Sequence, residues 1–452
     1  MDLKYKYRHM KTTNKIFLVL LFSTLLFGCK KDYQNVNQPT ETQVLTTKSG
    51  LLGLAVGLNS NFASSTYFFV TEVPGLSTRE LGDISTYVTP AELVLGGSAL
   101  SDDNTGIGGL WTDLLRDKGI AENILANVAP VSMSPGTKSG LVAYAKWFRA
   151  LTLGYMAQNF QKVPIKNQLN GDAQFSSREE ALDTCIALLK SAKADIAAQP
   201  VSAEFSNLFP KISLPNVINA YLARYSLFAK KYADAVAAAD AVDLTSQSVW
   251  EYDGSTFKNP VYRFAVYNNP DTKPIVNFGL TGKYIPNPND GRIAFYLSPT
   301  NIVVEPASVG GHTVEDLLGF FDTETKSIPV YLPGEMLLIK AEAYAQMGDL
   351  TKAVQFINAV REKTNDVFGV NAGLGAWTGN ATSKSDIMDE IFKQRSIELF
   401  MSGMRLEDSR RIHPNLIPPA AGSYTNERNR NFYPYPFSER ANNPNTPANP
   451  SI

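Results

Sequence analysis

The chain has 452 residues, and its 42 lysines and arginines nearly balance 43 aspartates and glutamates, giving a formal net charge of −1. Nucleic-acid binding depends mainly on neutralising phosphates, so a chain without excess positive charge is poorly suited to it. Hydrophobic residues make up 44% of the chain, which excludes a disordered protein. Three histidines and two cysteines offer few ligands for a transition metal, so no metal site and no cofactor are predicted.

The first 28 residues have the pattern of a secretory signal. Basic residues precede an apolar run from Ile16 to Phe27, in which only Ser23 and Thr24 are polar. A helix of this length covers about 18 Å, whereas the hydrocarbon core of a bilayer is about 30 Å thick. A basic flank followed by a short apolar run is typical of a cleaved export signal, so residues 1–28 are predicted to be a signal peptide.

The apolar run ends in Leu26-Phe27-Gly28-Cys29, which resembles the lipobox of bacterial lipoproteins. That resemblance implies cleavage before Cys29 and attachment of lipid to its thiol. The residues that follow are polar and lack periodicity, so residues 29–48 are predicted to form a lipidated flexible tether. A buried helix with an incidental cysteine is the alternative interpretation.

Helical periodicity dominates residues 107–243. Two long helices are predicted within residues 107–164, followed by a helix to about Ala198 and then a close pair of helices. Breakers and caps separate these elements. They are Ser134-Pro135-Gly136, Pro164, Ser177 with acidic residues in its first turn, and Pro215.

A second helical block spans residues 333–411. Pro333 begins its first helix, Asp349 caps the second, and Ser385 begins the third. The intervening residues 244–332 contain many prolines and short strand-like pieces among turn signals. A loop-rich stretch of this length inside a compact domain is usually functional.

The two blocks contain similar helix-turn-helix units. Residues 223–236 align with residues 341–354, and small residues, Ala235 and Ala353, stand where the two helices of each unit must approach closely. The arrangement resembles the tetratricopeptide repeat, whose helix pairs bury their apolar faces by stacking on neighbours. Unrelated helical hairpins with the same amphipathic spacing are the alternative.

The predicted fold is mainly α, with a tetratricopeptide-like scaffold of helical hairpins and a loop-rich insertion lobe. All of it is placed in a single domain, residues 49–452. Its predicted parts are the scaffold at about 107–243 and 333–411, the loop-rich lobe at about 60–106 and 244–332, and an irregular C-terminal tail at 412–452.

Four stretches together resemble the SusD/RagB family of outer-membrane nutrient-binding lipoproteins from Bacteroidetes: 143–165, 222–235, 334–363 and 391–411. The last is the most specific, and its matching residues are Arg395, Glu398, Leu399, Gly403, Arg405, Asp408 and Arg411. Gln394, Ser402 and Ser409 depart from the family pattern. The resemblance implies a SusD-like α-helical fold and a nutrient ligand, expected to be an oligosaccharide. It also implies a SusC-like TonB-dependent transporter as partner.

The charged residues of this last stretch are predicted to be structural. Arg395 and Glu398 are three residues apart on one helix, as are Arg405 and Asp408, so each pair is expected to bond locally. Gly403 is expected to let the chain turn at the helix end. Because the helix breaks there, Glu398 and Asp408 have no assured facing geometry for acid–base catalysis.

Motifs for catalysis are absent from the sequence. It contains no Gly-x-x-x-x-Gly-Lys-Ser/Thr, no His-Glu-x-x-His and no Gly-x-Ser-x-Gly, so no catalytic residue is predicted. Sugar binding instead needs aromatic rings for the apolar C–H faces and polar groups for the hydroxyls. Residues of these types in the two loop-rich regions are the predicted ligand-binding set: Arg79, Asp83, Tyr87, Asp102, Trp250, Tyr252, Tyr262, Arg263 and Asn268.

The sequence therefore predicts a lipoprotein anchored through Cys29 to the outer membrane, at the cell surface. It is expected to bind an oligosaccharide without breaking a bond and to deliver it to the transporter. A net charge near zero favours a neutral ligand. The alternatives left open are a peptide-binding RagB-like uptake lipoprotein, an all-helical lipoprotein glycoside hydrolase, and an assembly scaffold that binds no small ligand.

Overall fold

A computed structural model describes residues 40–168, 170–419 and 427–451. The predicted signal peptide, Cys29 and the first part of the predicted tether lie outside these residues. Contacts divide the chain into two compact units, Met1–Val44 and Leu45–Ile452. Within the first unit the described residues are 40–44, which contain the start of the first described helix.

The described chain is mainly helical, which confirms the predicted fold class. The α-helices are α1 (Glu41–Thr46), α2 (Lys48–Asn61), α3 (Tyr67–Ser77), α4 (Val88–Leu95), α5 (Thr105–Asn127), α6 (Pro135–Asn159), α7 (Arg178–Ala198), α8 (Ala203–Ser206), α9 (Leu214–Phe228), α10 (Tyr232–Asp240), α11 (Pro260–Ala265), α12 (Gly291–Tyr296), α13 (Pro333–Met347), α14 (Leu350–Arg361), α15 (Lys384–Glu398), α16 (Arg405–Ile412) and α17 (Phe437–Asn442). A π-helix, Phe62–Thr66, joins α2 to α3.

The strands are short and pair only as antiparallel two-stranded ladders among the described residues. The ladders are β1 (Leu81–Asp83) with β5 (Thr272–Pro274), β2 (Lys162–Pro164) with β3 (Phe175–Ser177), β4 (Val249–Trp250) with β8 (Ile328–Pro329), and β6 (Leu297–Val304) with β7 (Thr313–Leu317).

Several helix starts follow from the caps that the sequence contains. Ser177 forms a capping box with Glu180, so α7 begins where predicted and ends at Ala198. Asp349 accepts a hydrogen bond from the backbone N–H of Lys352 at 3.0 Å and caps α14, also as predicted. The predicted start of the next helix at Ser385 is wrong by two residues, because Ser383 caps α15 by accepting from the backbone N–H of Asp386.

The helix pairs stack side by side around one main hydrophobic core. Helix α6 packs between α5 and α7, and the order continues through α9, α10, α13 and α14, with α15 against α13. Ala235 and Ala353, the small residues of the two predicted repeat units, are fully buried where their helices meet. The successive pairing of α9 with α10 and of α13 with α14 is the stacking expected of repeat-like hairpins.

Residues 60–106 were predicted to belong to a loop-rich lobe. This prediction is wrong for the first part of that range. The chain is helical without a break from Lys48 to Ser77, and nearly all of α3 is buried. Aromatic and β-branched residues in this stretch resemble a strand, but burial against α5 stabilises a helix instead. Pro74 lies inside α3 and removes the helical donor for the carbonyl of Val70.

That carbonyl is covered by the turn at Gly403. A Cβ atom placed on Gly403 would come within 2.2 Å of the carbonyl oxygen of Val70, and Gly403 has φ of 75°. Both the close approach and the left-handed conformation therefore require glycine. The prediction that Gly403 lets the chain turn is confirmed.

The four charged residues predicted as a network are buried, but the predicted local pairs are wrong. Arg395 bonds to Asp408 at 2.8 Å, across the Gly403 turn. Glu398 accepts from Arg292 at 3.0 Å and also pairs with Lys363. Arg405 lies 3.7 Å from Glu80 and donates to the backbone carbonyl of Ser396. The partners differ from the prediction because each of these buried charged side chains bonds to a group on another element and not to the predicted partner on its own helix.

Candidate functional site

Two of the predicted ligand-binding aromatic residues belong to the core, so their assignment to a ligand surface is wrong. Trp250 is 1% exposed and stacks on Trp147, with ring centroids 5.8 Å apart and planes at 4°. Tyr252 is buried, and its hydroxyl donates to the carbonyl of Ala63 at 3.0 Å. Their rings fill the space between the loop region and the helices, where removal from water stabilises them.

Arg79 and Asp83 are also buried, and the side chain of Asp83 holds the backbone after β1. The carboxylate of Asp83 accepts from the backbone N–H and the hydroxyl of Ser85, both at 2.8 Å. The backbone N–H of Asp83 donates to Glu305 at 2.7 Å. Arg79 adopts a left-handed conformation with φ of 68°. The burial of both residues, with the contacts of Asp83, supports a structural role in place of the predicted ligand contact.

The remaining predicted residues lie in separate places on the surface. Tyr87 is 62% exposed at the start of α4. Asp102 bonds to Arg440 and Asn449 in the C-terminal tail. Tyr262 and Arg263 lie together on α11, with Asn268 exposed shortly after it. Of this last group, Arg263 lines a pocket that combines aromatic and polar side chains.

That pocket, which we call the α3–α11 pocket, has a volume of about 340 Å³. One wall is the π-helix with the start of α3, and the other is the segment that leads into α11. Its described lining residues combine aromatic rings, hydroxyls and cations: Ser64, Ser65, Phe68, Phe69, Ser255, Thr256, Lys258, Pro260 and Arg263.

The π-helix wall is held by one buried carboxylate. Asn61 and Thr66, five residues apart, both donate to Asp117 on α5, at 2.7 and 2.6 Å. Five residues is the hydrogen-bond spacing of a π-turn, and such turns occur frequently at functional sites. The widened turn places Ser64 and Ser65 at the pocket. The hydroxyl of Ser65 donates to Asp113 at 2.7 Å, which leaves its oxygen able to accept from a ligand.

The opposite wall is fixed by two side chains that bond the backbone. Asp253 accepts from the backbone N–H groups of Ser255 and Phe257, both at 2.8 Å, and closes a tight turn. Asn259 caps α11 and also donates to the carbonyls of Phe320 and Lys326 at 2.8 Å. The short helix that carries Arg263 is therefore anchored to the loop region behind it.

The rings in the pocket form a connected cluster. Phe68 packs edge-to-face against Phe69 and Phe264, with centroids 5.0 Å apart in each pair. The guanidinium of Arg263 lies over the ring of Phe68, 4.9 Å from its centroid. Tyr262 and Tyr267 pack together beside this cluster, 5.8 Å apart, and Tyr267 is half-exposed. Aromatic rings and the N–H groups of Arg263 thus lie together at the opening of the α3–α11 pocket.

Sequence patterns missed Phe68, Phe69 and the two serines of the π-helix as candidate site residues. The run Tyr67-Phe68-Phe69 shows that aromatic residues are present, but it does not show which of them face a ligand. Which ring faces the pocket depends on the helical phase, and a strand-like interpretation of the same run places the side chains on other faces.

Burial raises the pKa of Glu72, on α3 beside the pocket, from its ordinary value of 4.5 to about 8. Asp271 and Asp83 raise it further by repulsion, while Arg263 opposes the shift. At neutral pH most of this carboxyl is therefore protonated and neutral.

This carboxyl makes the stability of the fold depend on pH. Between about pH 4.5 and 8 folded Glu72 retains a proton that the unfolded chain has lost, so the free energy of unfolding falls as pH rises. Glu72→Gln mimics the neutral acid and removes this loss. We expect urea unfolding at pH 5.5 and 8 to show a decrease smaller by about 2–3 kcal/mol in Glu72→Gln than in the unmodified protein. Equal decreases in both proteins would contradict the assignment.

A second, larger pocket of about 570 Å³ lies on the helical scaffold between α7, α8 and α9. It is lined mostly by apolar side chains, including Ile196, Val201, Phe205 and Phe209. Hydrogen-bonding groups are too few there to satisfy the hydroxyls of a sugar. The α3–α11 pocket is therefore the better candidate for a sugar site.

The described residues contain neither a candidate metal site nor a candidate membrane-spanning helix. No group of three or more histidines, cysteines, aspartates or glutamates there has a geometry that could hold a metal ion. None of the helices in the described ranges is long and apolar enough to cross a membrane.

Comparison with known proteins finds similarity to SusD-like proteins in part of the sequence and in the fold. The family model described as the SusD family matches residues 321–451, which include the third and fourth stretches of the predicted resemblance. A SusD-like protein of Formosa agariphila is 34% identical over 82 residues. That alignment covers 18% of this chain and only 16% of the relative's length.

Solved structures share the fold over most of the chain. A SusD superfamily protein of Bacteroides thetaiotaomicron has a TM-score of 0.68 at 15% identity, covering 90% of this chain and 100% of that one. NanU of Bacteroides fragilis has a TM-score of 0.67 at 14% identity, covering 91% and 99%. A SusD-like carbohydrate binding protein of Bacteroides fragilis has a TM-score of 0.66 at 16% identity, covering 90% and 100%. The predicted SusD-like fold is confirmed.

Proposed function

We propose that this SusD-like chain is a cell-surface lipoprotein that binds an oligosaccharide nutrient and delivers it to a SusC-like TonB-dependent transporter in the outer membrane. The observation that carries the proposal is the α3–α11 pocket, where phenylalanine rings, hydroxyls and two cations converge on one opening. The SusD-like carbohydrate binding protein among the structural neighbours supports a sugar as the ligand class.

The pocket has the chemistry and the size that a short sugar segment needs. The faces of Phe68 and Phe69 can cover the apolar C–H surface of a sugar ring, and the hydroxyls of Ser64, Ser65 and Thr256 can bond its rim. A volume of about 340 Å³ is within the range of small-molecule sites. An oligosaccharide would extend beyond the opening toward the half-exposed ring of Tyr267.

Binding without bond cleavage fits the residues of this pocket. Glycoside hydrolysis uses two carboxyl groups on either side of the scissile bond. Among the described residues that line the pocket there is no aspartate or glutamate. These residues support capture and release of the ligand as the mechanism.

Titration of the purified full-length protein with panels of oligosaccharides and of peptides tests the proposal. We expect at least one oligosaccharide to bind reversibly, to be recovered intact, and to lose affinity when the pocket is altered. Binding of peptides alone would instead support the RagB-like alternative. Release of reducing ends from a polysaccharide would support the hydrolase. Binding of protein partners without any small ligand would support the assembly scaffold.

Anchoring through Cys29 is tested by Cys29→Ser. If lipid on this thiol holds the protein, the variant should move from the envelope fraction to the soluble fraction after cell breakage. Cys185→Ser is the matched control, because the Cys185 thiol is buried and donates to the carbonyl of Ala150. That control should remain in the envelope. A Cys29→Ser protein that still sediments with envelopes would contradict the anchor.

A further inference from the structure

We propose that the α3–α11 pocket selects an anionic oligosaccharide, whose carboxylate or sulfate ester pairs with the guanidinium of Arg263. This inference rests on the proposed function, because it names the class of sugar that the same pocket binds. It departs from the expectation of a neutral ligand, which followed from the net charge of the whole chain. Local charge, not the total, decides what a pocket attracts.

Arg263 is positioned to receive an anion. It lies in the last turn of α11, is exposed, and places its guanidinium 4.9 Å from the centroid of the Phe68 ring. Contact with an aromatic face through the central carbon leaves N–H groups of the guanidinium able to donate to a ligand. No carboxylate of the described residues forms an ion pair with it. A planar fork of donors held in this way suits two-point bonding to a carboxylate or sulfate.

The other charges around the opening strengthen this preference. Lys258 is the second cation of the lining and pairs with Glu324 at 2.8 Å, but both side chains are well exposed. Exposed ion pairs contribute little free energy, so Lys258 can exchange this partner for a ligand anion. With no aspartate or glutamate among the described lining residues, the wall of the pocket carries positive charge only.

Glu72, a buried acid of α3 that interacts with Arg263, does not cancel the charge of Arg263 at neutral pH. Burial, with repulsion from Asp271, raises the pKa of Glu72 to about 8, so this carboxyl is mostly protonated below that pH. Asp83 and Asp271 face Glu72 from β1 and from the residues before β5, while Arg263 faces it from α11. An anionic ligand thus meets a cation that makes no ion pair with a carboxylate of the described residues.

In the resulting binding pose, the remaining lining residues of the pocket contact the sugar ring and its hydroxyls. With the anionic group at Arg263, the sugar ring lies against the phenylalanine cluster. Ser64 and Ser65 already donate their hydroxyl protons to Ser60 and Asp113, so their oxygens are available to accept from sugar hydroxyls. Ser255 and Thr256 approach from the opposite wall.

Calorimetric titration with matched pairs of sugars tests the inference. One pair is an oligogalacturonide and its methyl ester, and the other is a sulfated oligosaccharide and its desulfated form, all at one salt concentration. We expect the anionic member of at least one pair to bind at least tenfold more tightly. In Arg263→Gln this preference should fall to less than threefold, because the anionic member loses more affinity than the neutral member does.

Arg440→Gln is the control, because Arg440 is a similarly exposed arginine that pairs with Asp102 at the C-terminal tail. It should keep the full preference for the anion. Equal affinity for both members of each pair, or a preference that survives in Arg263→Gln, would overturn the inference and leave the proposed function intact. If no sugar of either kind binds, the inference and the proposed function both fall. The two pairs distinguish a carboxylate from a sulfate ester as the bound group.

Discussion

Glu398→Gln should lower the free energy of unfolding by about 3–5 kcal/mol. The carboxylate of Glu398 is fully buried and accepts from Arg292 at 3.0 Å, while its other oxygen pairs with Lys363. The substitution keeps the shape of the side chain but removes one of the two carboxylates that compensate each buried cation, since Arg292 then retains only Asp290 and Lys363 only Asp366. Urea unfolding followed by far-UV circular dichroism measures the change.

An exposed ion pair provides the control for this prediction. Lys190 and Asp234 lie 2.8 Å apart with both side chains about half exposed, so Asp234→Asn should change stability by less than about 1 kcal/mol. Sugar affinity of the folded fraction should be the same in both variants and in the unmodified protein. A Glu398→Gln protein of normal stability that fails to bind sugar would place Glu398 in the ligand site instead of the frame.

Phe68→Ala should weaken oligosaccharide binding at least tenfold. Phe68 is the ring that supports Arg263 and connects Phe69 to Phe264, so truncation removes a sugar-covering face and releases the guanidinium. Ring stacking and apolar contact of this kind contribute on the order of 1–3 kcal/mol. Isothermal titration with the tightest-binding sugar of the panel measures the loss.

Phe437→Ala is the matched control, because Phe437 is a well-exposed ring on α17 in the C-terminal tail. It should leave affinity within about twofold. Since Phe68 also packs inside the protein, Phe68→Leu provides a variant that keeps apolar volume but no aromatic face. If Phe68→Leu folds normally and binds the sugar as tightly as the unmodified protein, the ring is not part of the site.

The sequence predicted the start of a helix correctly where the capping residues lie close together in the chain. Ser177 with Glu180, and Asp349 with Lys352, form their caps within three residues. The same logic fails for residues 60–77, where aromatic and β-branched residues form a helix because distant helices bury it. Local propensity is a weak guide when packing between elements decides.

The charged segment shows the same division between local and distant effects. Its residues were recognised from the sequence as structural, but the local pairing of Arg395 with Glu398 was wrong. The partner of Glu398, Arg292, is 106 residues away on α12. Spacing along one helix cannot reveal a partner that a separate element brings to the same buried position.

Only part of the candidate site could be predicted. Arg263 and Tyr262 were found because loop-rich segments concentrate polar and aromatic side chains. Trp250 met the same criterion yet lies in the core, because composition does not tell which rings pack inward. The wall that contains Phe68 depends on the π-turn held by Asp117, more than 50 residues away from Asn61 and Thr66.

A crystal structure of the protein with the tightest-binding oligosaccharide of the panel would show directly whether the α3–α11 pocket is the sugar site. We expect sugar density in the α3–α11 pocket, with a ring against Phe68 or Phe69 and a polar group within hydrogen-bond distance of Arg263. Sugar bound in the apolar pocket of the helical scaffold, or elsewhere on the surface while the α3–α11 pocket holds solvent, would contradict it.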